Sequence, residues 1–279
     1  MNRTYSLAHL TVLALSPPEV IRTAAKLGFA SCGLRLLPAA PGGLHYPLMS
    51  DAALQRETIA ALRDSNVKVL DLEIVRIDEH FDASAYRAFF DVGAALGAKH
   101  ILVAGDDAET ERLIANFGKL CEAAHAFNLT CDLEFMPWTA VKDAATAVRI
   151  VNTVAQPNAG VLVDAIHFFR SRSMLSDIAD LPRNSVNYVQ LCDGKVPGPV
   201  NNAGLIHDAR SERLLPGEGG FALAALLAAL PGDLPISVEV PSETRAAKMG
   251  NEAWAAAALE AAKKVISQPT SSEFDDFEI

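Results

Sequence analysis

Short apolar runs alternate with helical segments along nearly the whole chain, and this alternation limits the fold more than any other sequence feature. It is typical of parallel βαβ units. The predicted strands lie near residues 5–10, 31–36, 67–75, 100–104, 129–134, 160–164, 186–191 and 235–240. The predicted helices lie near residues 18–27, 51–65, 83–96, 109–127, 140–154, 173–180, 221–229 and 252–266. Eight strands and eight helices predict an α/β fold, the (β/α)8 TIM barrel.

An open, doubly wound sheet is the alternative architecture for such a pattern. The first predicted strand is not followed by Gly-x-Gly-x-x-Gly, which disfavours the dinucleotide-binding form of that sheet. A chain of 279 residues, half of them hydrophobic, can bury one large core. We therefore predict a single barrel domain over residues 1–269 and an acidic, flexible tail over residues 270–279.

Charge and composition exclude several classes of protein. The net charge is −10, and four of these negative charges lie in the tail, so the rest of the chain carries −6. A nucleic-acid surface would need a basic stripe, and a membrane span would need about 20 consecutive apolar residues. The sequence contains neither. Its four cysteines show no C-x-x-C spacing, which favours reduced thiols and a cytoplasmic location.

The start of the chain offers a second test of location. Residues 7–15 are apolar but are interrupted by His9 and Thr11. Ser16, two prolines and Glu19 follow at once, and this order is a helix-start signal. We therefore predict a first strand entering a first helix rather than a secretory signal.

Four polar residues stand at or next to the carboxyl ends of predicted strands: Glu134, Asp164, Gln190 and Glu239. The carboxyl ends of all strands in such a barrel meet at one mouth, so these side chains are expected to converge. Three carboxylates and one amide form an oxygen-only set that suits a hard cation. We predict one divalent metal ion there, Mn²⁺ or Mg²⁺, with Zn²⁺ or Co²⁺ as alternatives.

Each predicted ligand has a competing structural explanation. A buried carboxylate at a strand end can instead form an internal salt bridge, for which Arg35, Arg76 and Lys195 are candidates. An amide such as that of Gln190 can simply satisfy backbone groups. The prediction therefore depends on the four residues occurring together in series.

The same residues suggest a chemistry. A cation that chelates a carbonyl and a neighbouring hydroxyl acidifies the adjacent C–H bond, and a placed carboxylate can then remove that proton. We assign proton transfer to Glu134 and Glu239. His167, three residues after Asp164 on the predicted turn leaving the sixth strand, is expected to contact a substrate oxygen or complete the ion shell. Packing beside Phe168 and Phe169 is its structural alternative.

Other residues are candidates for substrate binding. Guanidinium groups match carboxylates and phosphates, although on an acidic protein they can instead neutralise neighbours. Trp138 could wall the pocket or pack between helix and barrel. The predicted substrate-binding set is Arg35, Trp138, Arg170 and Arg213.

Two connections are long enough to serve as lids over this mouth. They span residues 38–50 and 193–220 and follow the second and seventh predicted strands. Long loops in compact domains are more often functional than not, although insertions without a role also occur.

Five segments together carry a resemblance to a known family. They read Leu-Glu-Phe-Met-Pro-Trp138, Val-Asp-Ala-Ile-His-Phe-Phe-Arg170, Val-Gln-Leu-Cys-Asp193, Pro-Gly-Glu-Gly219 and Val-Glu-Val240. The chain resembles the xylose isomerase-like TIM-barrel superfamily, also called sugar phosphate isomerases/epimerases. The resemblance implies a divalent metal on Glu134, Asp164, Gln190 and Glu239, with Glu134 and Glu239 as the acid/base pair and His167 near the substrate.

Glutamine at position 190 is a departure within that superfamily, since many of its ketose epimerases have histidine there. It looks more like the hydroxypyruvate isomerase and 3-dehydroshikimate dehydratase branches. The few scattered histidines and the acidic body argue against the AP-endonuclease branch, which needs a multi-zinc cluster and a DNA-binding surface.

We therefore expect a metal-dependent isomerase or epimerase that moves a proton through an enediolate on a small, polyhydroxylated, sugar-like carbonyl compound. The alternatives are a dehydratase of a 3-dehydroshikimate- or inosose-like ring, and a barrel that binds a sugar or a partner without catalysis. We expect no nucleic-acid or membrane partner, and a homodimer as the form of assembly.

Overall fold

A computed structural model describes residues 3–179 and 181–267 of the chain. Eight parallel strands form a closed barrel in sequence order, in which the last strand pairs with the first. The strands are β1 (Tyr5–Leu7), β2 (Ser31–Arg35), β3 (Lys68–Ile77), β4 (His100–Gly105), β5 (Thr130–Glu134), β6 (Ala159–Asp164), β7 (Val189–Leu191) and β8 (Ile236–Val238). The predicted (β/α)8 TIM barrel is thereby confirmed. The predicted tail, 270–279, lies outside the described residues.

Helices connect the strands and cover the outside of the barrel. They are α1 (Pro17–Leu27), α2 (Ala52–Arg63), α3 (Arg87–Leu96), α4 (Thr110–His125), α5 (Ala144–Val154), α6 (Ala165–Arg170), α7 (Ser176–Ala179), α8 (Asn202–Ser211), α9 (Leu223–Ala228), α10 (Glu243–Met249) and α11 (Asn251–Ser267). Short 3-10 turns occur at His9–Val12, Ala83–Tyr86 and Arg183–Ser185. Within the described residues, no helix is both long and apolar enough to cross a bilayer.

Local chemistry sets the ends of several helices. At the start of α1, the Ser16 backbone N–H donates to Glu19 Oε2 at 2.7 Å, so the predicted capping box is present. Gly28 and Gly97 directly follow α1 and α3 with φ values of 82° and 69°, the left-handed conformation that ends a helix without strain for glycine.

Most of the apolar core lies between the barrel and its helices, where it forms one continuous cluster. A smaller apolar cluster fills part of the barrel interior: Leu70, Ile74, Leu102, Ala104, Met136, Leu162 and Tyr188. The rest of the interior is polar and includes the buried carboxylates of Asp71, Glu73 and Asp132. Polar groups therefore extend from the barrel core toward its mouth.

Three helices were not predicted. His167 was expected on a turn, but residues 165–170 form α6, which begins because Asp164 Oδ1 accepts the Ile166 N–H at 3.0 Å. The loop 193–220 contains α8, which the Asn201 side chain caps by accepting the Gly204 N–H at 2.8 Å. Asparagine and glycine are weak helix formers, so this segment gives a loop-like pattern although its cap is favourable. The third is α10, which Ser242 caps.

Both long connections are attached to the barrel by specific contacts. In the loop 38–50, Tyr46 donates a hydrogen bond to the Leu13 carbonyl at 3.0 Å, and its ring stacks on His9 at 5.1 Å. In the loop 193–220, the buried carboxylate of Asp193 accepts N–H groups from Gly194, Gly217 and Phe221 at 2.8, 3.0 and 3.1 Å. These anchors hold both connections close to the barrel mouth.

His9 makes this attachment sensitive to pH. Its Nδ1 accepts the Arg35 N–H at 2.8 Å, so Nε2 carries the proton and donates to the Leu15 carbonyl at 2.9 Å. Burial lowers the pKa of His9 to about 4. The unfolded chain takes up a proton near the ordinary histidine pKa, about 6.5, which folded His9 does not accept until lower pH. The neutral form of His9 therefore contributes fully to the free energy of unfolding above about pH 6.5. This contribution is lost as the pH falls toward about 4.

The parent protein loses stability when the pH falls from about 7 to about 4.5. We predict that this decrease in the free energy of unfolding is smaller by about 2–3 kcal/mol in His9→Asn, because the variant has no histidine to protonate at this position. Urea unfolding of both proteins at the two pH values measures this difference. The matched control is His125→Asn, which changes an exposed histidine at the end of α4. A pH dependence in His9→Asn equal to that of the parent would contradict the prediction.

Candidate metal and active site

The four predicted ligands lie at the carboxyl ends of consecutive strands. Glu134 ends β5, Asp164 ends β6, Gln190 lies in β7, and Glu239 directly follows β8. Asp164 and Gln190 are paired residues of neighbouring strands. All four side chains are buried. The structure therefore places them around one barrel mouth.

Glu134, Asp164 and His167 form the group best arranged to hold a cation. One ligand atom from each lies within 4.8 Å of the others. His167 Nε2 is 3.8 Å from Glu134 Oε1 and 3.7 Å from Asp164 Oδ2. Because α6 begins directly after Asp164, the histidine three residues later faces back over the strand end. Helix α6, which was not predicted, thus brings His167 to the carboxylates of Glu134 and Asp164.

Arg213 bridges two of the predicted ligands. Its Nη1 donates to Asp164 Oδ2 at 2.7 Å, and its Nη2 lies 2.8 Å from Glu239 Oε2. Its Nε donates to the Ala209 carbonyl at 2.6 Å. Although burial disfavours its charge, the two carboxylates raise the pKa of Arg213 above its ordinary value. The internal ion pair considered as an alternative is thus formed by Arg213, and not by Arg35, Arg76 or Lys195.

Gln190 and Glu239 form a second pair beside this bridge. Gln190 Nε2 donates to Glu239 Oε1 at 2.9 Å, so both Glu239 oxygens have a partner. Gln190 Oε1 is buried and, within the described residues, has no hydrogen-bond partner. The four predicted ligands therefore fall into two groups. Glu134 and Asp164 form a trio with His167, and Gln190 pairs with Glu239. Metal ligation by all four remains a prediction.

Burial and mutual repulsion shape the acid/base properties of the site. Burial, with the charges of Asp164 and Glu239, raises the pKa of Glu134 well above its ordinary value. Burial raises the pKa of Glu239 to about 8, against the opposing effect of Arg213. Burial also lowers the pKa of His167 to about 4, so the imidazole is neutral near pH 7. Both glutamates consequently hold a proton more readily than an exposed carboxylate.

The charges of this cluster fit a divalent cation. When the carboxyls of Glu134, Asp164 and Glu239 are ionised, the single positive charge of Arg213 leaves two negative charges in excess. Glu134 has no arginine or lysine partner among the described residues. Its carboxylate, Asp164, the neutral imidazole of His167 and the unpartnered Gln190 oxygen supply donors that Mn²⁺ and Mg²⁺ accept, and imidazole also suits Zn²⁺. The residues present therefore fit such an ion.

A cavity of about 400 Å³, measured with its open mouth, leads to this cluster. Its apolar lining includes Ile74, Leu102, Met136 and the ring of Trp138. Its polar lining is unusual because it contains four arginines: Arg35, Arg76, Arg210 and Arg213. Glu134, His167 and Glu239 also line the cavity, so a small molecule that enters it meets the candidate catalytic residues.

The predicted substrate-binding residues differ in their surroundings. Trp138 lines the cavity with its ring edge-to-face against His167 at 5.2 Å. Arg35 also lines it, but its Nε donates to Glu73 Oε2 at 2.8 Å. Arg170 instead donates from Nε to Asp208 Oδ2 at 2.7 Å and lies over the Phe221 ring at 5.0 Å. Arg170 therefore joins α6 to α8 and to the loop that follows.

Arg76 and Arg210 were not predicted as pocket residues. Arg210 lies in the last turn of α8, and Arg213 follows just after the helix ends at Ser211. Interpreting the loop as a helix would therefore have indicated the position of Arg210. The position of Arg76, next to the end of β3, carried the same strand-end signal as the predicted ligands.

We predict that the chelator-treated protein binds about one Mn²⁺ ion per chain, and that Glu134→Gln weakens this binding by at least about tenfold because a charged donor is lost. Isothermal titration calorimetry measures both affinities. Glu218→Gln, which removes an exposed carboxylate paired with Arg245, is the matched control and should bind like the parent. Unchanged affinity in Glu134→Gln would show that the trio does not hold the ion.

The chain is similar in sequence to a protein of known function. A curated relative, the 3-dehydroshikimate dehydratase of Pseudomonas aeruginosa, is 29% identical over 160 residues, which cover 54% of this chain and 25% of that protein. The match thus spans about a quarter of the relative's length.

Two solved structures share the fold. The IolI protein with a bound zinc atom has a TM-score of 0.75 and 18% identity, covering 95% of this chain and 98% of that one. A fusion of a xylose isomerase-like TIM barrel with 4-hydroxyphenylpyruvate dioxygenase has a TM-score of 0.78 and 22% identity, covering 94% of this chain and 42% of that one. The sequence profile described as "Xylose isomerase-like TIM barrel" matches residues 21–265. The chain therefore belongs to the family of xylose isomerase-like TIM barrels.

Proposed function

We propose that this protein is a metal-dependent isomerase or epimerase that moves a proton at the carbon next to a carbonyl group of a small polyhydroxylated substrate. One observation carries the proposal. Two buried glutamates, Glu134 and Glu239, line one cavity beside a group of residues suited to a divalent cation, and burial raises the pKa of both. Carboxyls with raised pKa values are suited to exchange protons near neutral pH.

A divalent ion at this site would polarise the substrate carbonyl and so acidify the neighbouring C–H bond. The Glu134 carboxylate, which has no arginine or lysine partner among the described residues, is free to turn toward that bond and take the proton. In an isomerisation it returns the proton to the former carbonyl carbon, while the proton of the neighbouring hydroxyl group passes to the former carbonyl oxygen. In an epimerisation, a second group delivers a proton to the opposite face.

Glu239 is suited to be that second group because its position is fixed. Gln190 and Arg213 each donate to one of its two oxygens, so the carboxyl group is oriented before a substrate arrives. Neutral His167, packed against Trp138, is suited either to bind the ion through Nε2 or to donate a hydrogen bond to a substrate oxygen.

A dehydratase is the second candidate, and the curated relative favours it, since that protein is a 3-dehydroshikimate dehydratase. The first step would be the same proton removal by Glu134. The C–O bond to the β-hydroxyl would then break, a proton from Glu239 would join the leaving oxygen, and water would depart. The fate of the hydroxyl therefore distinguishes the two reactions.

We also propose, from the sequence, that the protein is located in the cytoplasm and forms a homodimer.

We predict that the Mn²⁺-loaded protein exchanges the hydrogen next to the carbonyl of its substrate for deuterium in D₂O, and that Glu134→Gln slows this by about 10²- to 10⁴-fold. Proton NMR of hydroxypyruvate, D-fructose and 3-dehydroshikimate measures the exchange. An ultraviolet band from an aromatic or enone product would identify the dehydratase instead.

Glu218→Gln is again the control, since Glu218 pairs with Arg245 on the surface. A barrel that only binds a sugar or a partner needs no acid/base pair. If Glu134→Gln and Glu239→Gln both leave exchange at the rate of the parent, the catalytic proposal fails.

A further inference from the structure

We propose that the substrate carries a carboxylate and that Arg210 is the residue that receives it. This inference rests on the proposed function for the part of the substrate that reacts. It specifies which chemical group lies at the other end of the substrate molecule. The substrate would be a small hydroxy-oxo acid rather than a neutral sugar, and Arg210 would determine that specificity.

The other three arginines that line the cavity all have carboxylate partners. Arg76 Nε and Nη2 contact the two Asp106 oxygens at 2.6 and 2.7 Å. Arg35 is paired with Glu73, and Arg213 with Asp164 and Glu239, as described above. Each of these guanidinium groups therefore already has a carboxylate partner and offers little free charge to a ligand.

Arg210 differs from all three. Within the described residues its polar contact is one long hydrogen bond, from Nη2 to the Ala39 carbonyl at 3.5 Å, and no carboxylate pairs with it. The guanidinium carbon also lies 6.0 Å from the centre of the Trp138 ring. Burial lowers the pKa of Arg210, and the positive charges of Arg76 and Arg35 lower it further, while the more distant carboxylates of Asp106 and Glu134 act in the opposite direction. A half-buried guanidinium that forms no ion pair within the described residues is a site for an anion.

The location of Arg210 connects this anion site to the reacting groups. It lines the same cavity as Glu134 and His167. The Trp138 ring is near both groups, with its centre 6.0 Å from the Arg210 guanidinium carbon and 5.2 Å from the centre of the His167 imidazole. A flat or extended molecule lying along Trp138 would place its anionic end at Arg210 and its carbonyl end beside Glu134.

The charge of the site favours a carboxylate over a doubly charged phosphate. When the carboxyls of Glu134, Asp164 and Glu239 are ionised, their cluster with Arg213 has two negative charges in excess, which a bound divalent ion would balance. Arg210 then contributes one uncompensated positive charge. A ligand with a single negative charge neutralises the cavity, and a planar carboxylate fits a guanidinium through two parallel hydrogen bonds.

The experiment uses two probes with the same ring and different charge: 3,4-dihydroxybenzoate and 3,4-dihydroxybenzyl alcohol. Calorimetry with the Mn²⁺-loaded protein should show that the carboxylate probe binds more tightly. Arg210→Gln should weaken binding of this probe by about 10- to 100-fold, the loss expected for a charge-assisted hydrogen bond, and leave the alcohol unchanged. Arg210→Lys keeps the charge and should fall between Arg210→Gln and the parent.

Arg149→Gln, which removes an exposed arginine from α5, is the matched control and should bind both probes like the parent. Equal affinity of the parent for the two probes would overturn the proposal. An equal loss of affinity for both probes in Arg210→Gln would also overturn it, provided that the variant has a normal unfolding temperature. If Arg210→Gln does not fold, Arg210→Lys and the comparison of the two probes on the parent decide.

The binding measurement needs no turnover, so it separates this proposal from the proposed reaction. Selective loss of the carboxylate probe in Arg210→Gln supports the anion site even where no substrate exchanges its hydrogen. Exchange that proceeds equally well with a neutral sugar such as D-fructose and with 3-dehydroshikimate supports the reaction and overturns the role of Arg210.

Discussion

The buried guanidinium of Arg213 is the contact on which the geometry of the mouth depends. It joins the end of β6, through Asp164, to the residue after β8, through Glu239, and it lies just beyond α8. Taking these charges out of water is costly, and only their close pairing offsets that cost. Removing the arginine would leave two carboxylates buried without a counter-ion, so the α8 segment and the strand ends are constrained together.

That constraint gives the two candidate acid/base residues different freedoms. Both oxygens of Glu239 are held by Gln190 and Arg213, whereas the neighbour of Glu134 is the neutral imidazole of His167, whose Nε2 lies 3.8 Å from Oε1. The first carboxyl is therefore oriented in advance, and the second can turn toward a ligand or a cation. A site that must take up a proton at one position and deliver it at another benefits from this difference, because each group can be tuned separately.

The sequence predicted the barrel well because strand and helix periodicity are local properties, and it located Glu134, Asp164, Gln190 and Glu239 because parallel strands must end at one mouth. It did not predict how these residues pair. The capping of α6 by Asp164 brings His167 into the trio, and the Asn201-capped α8 brings Arg213 into the mouth. Both helices are short and include weak helix formers, so tertiary contacts rather than propensity decide them.

Arg210 and Arg213 show how position alone assigns roles to identical side chains. They are three residues apart, yet Arg213 is buried between two carboxylates, and Arg210 lies at the cavity beside Trp138 with no ion-pair partner in the described part of the chain. Arg213 balances two carboxylates of the protein itself, whereas we propose that an anionic substrate balances Arg210. With a divalent ion over Glu134 and Asp164, one further negative charge brings the whole mouth to neutrality. The specificity of the site is therefore expected to follow the charge of the substrate at least as closely as the pattern of its hydroxyl groups.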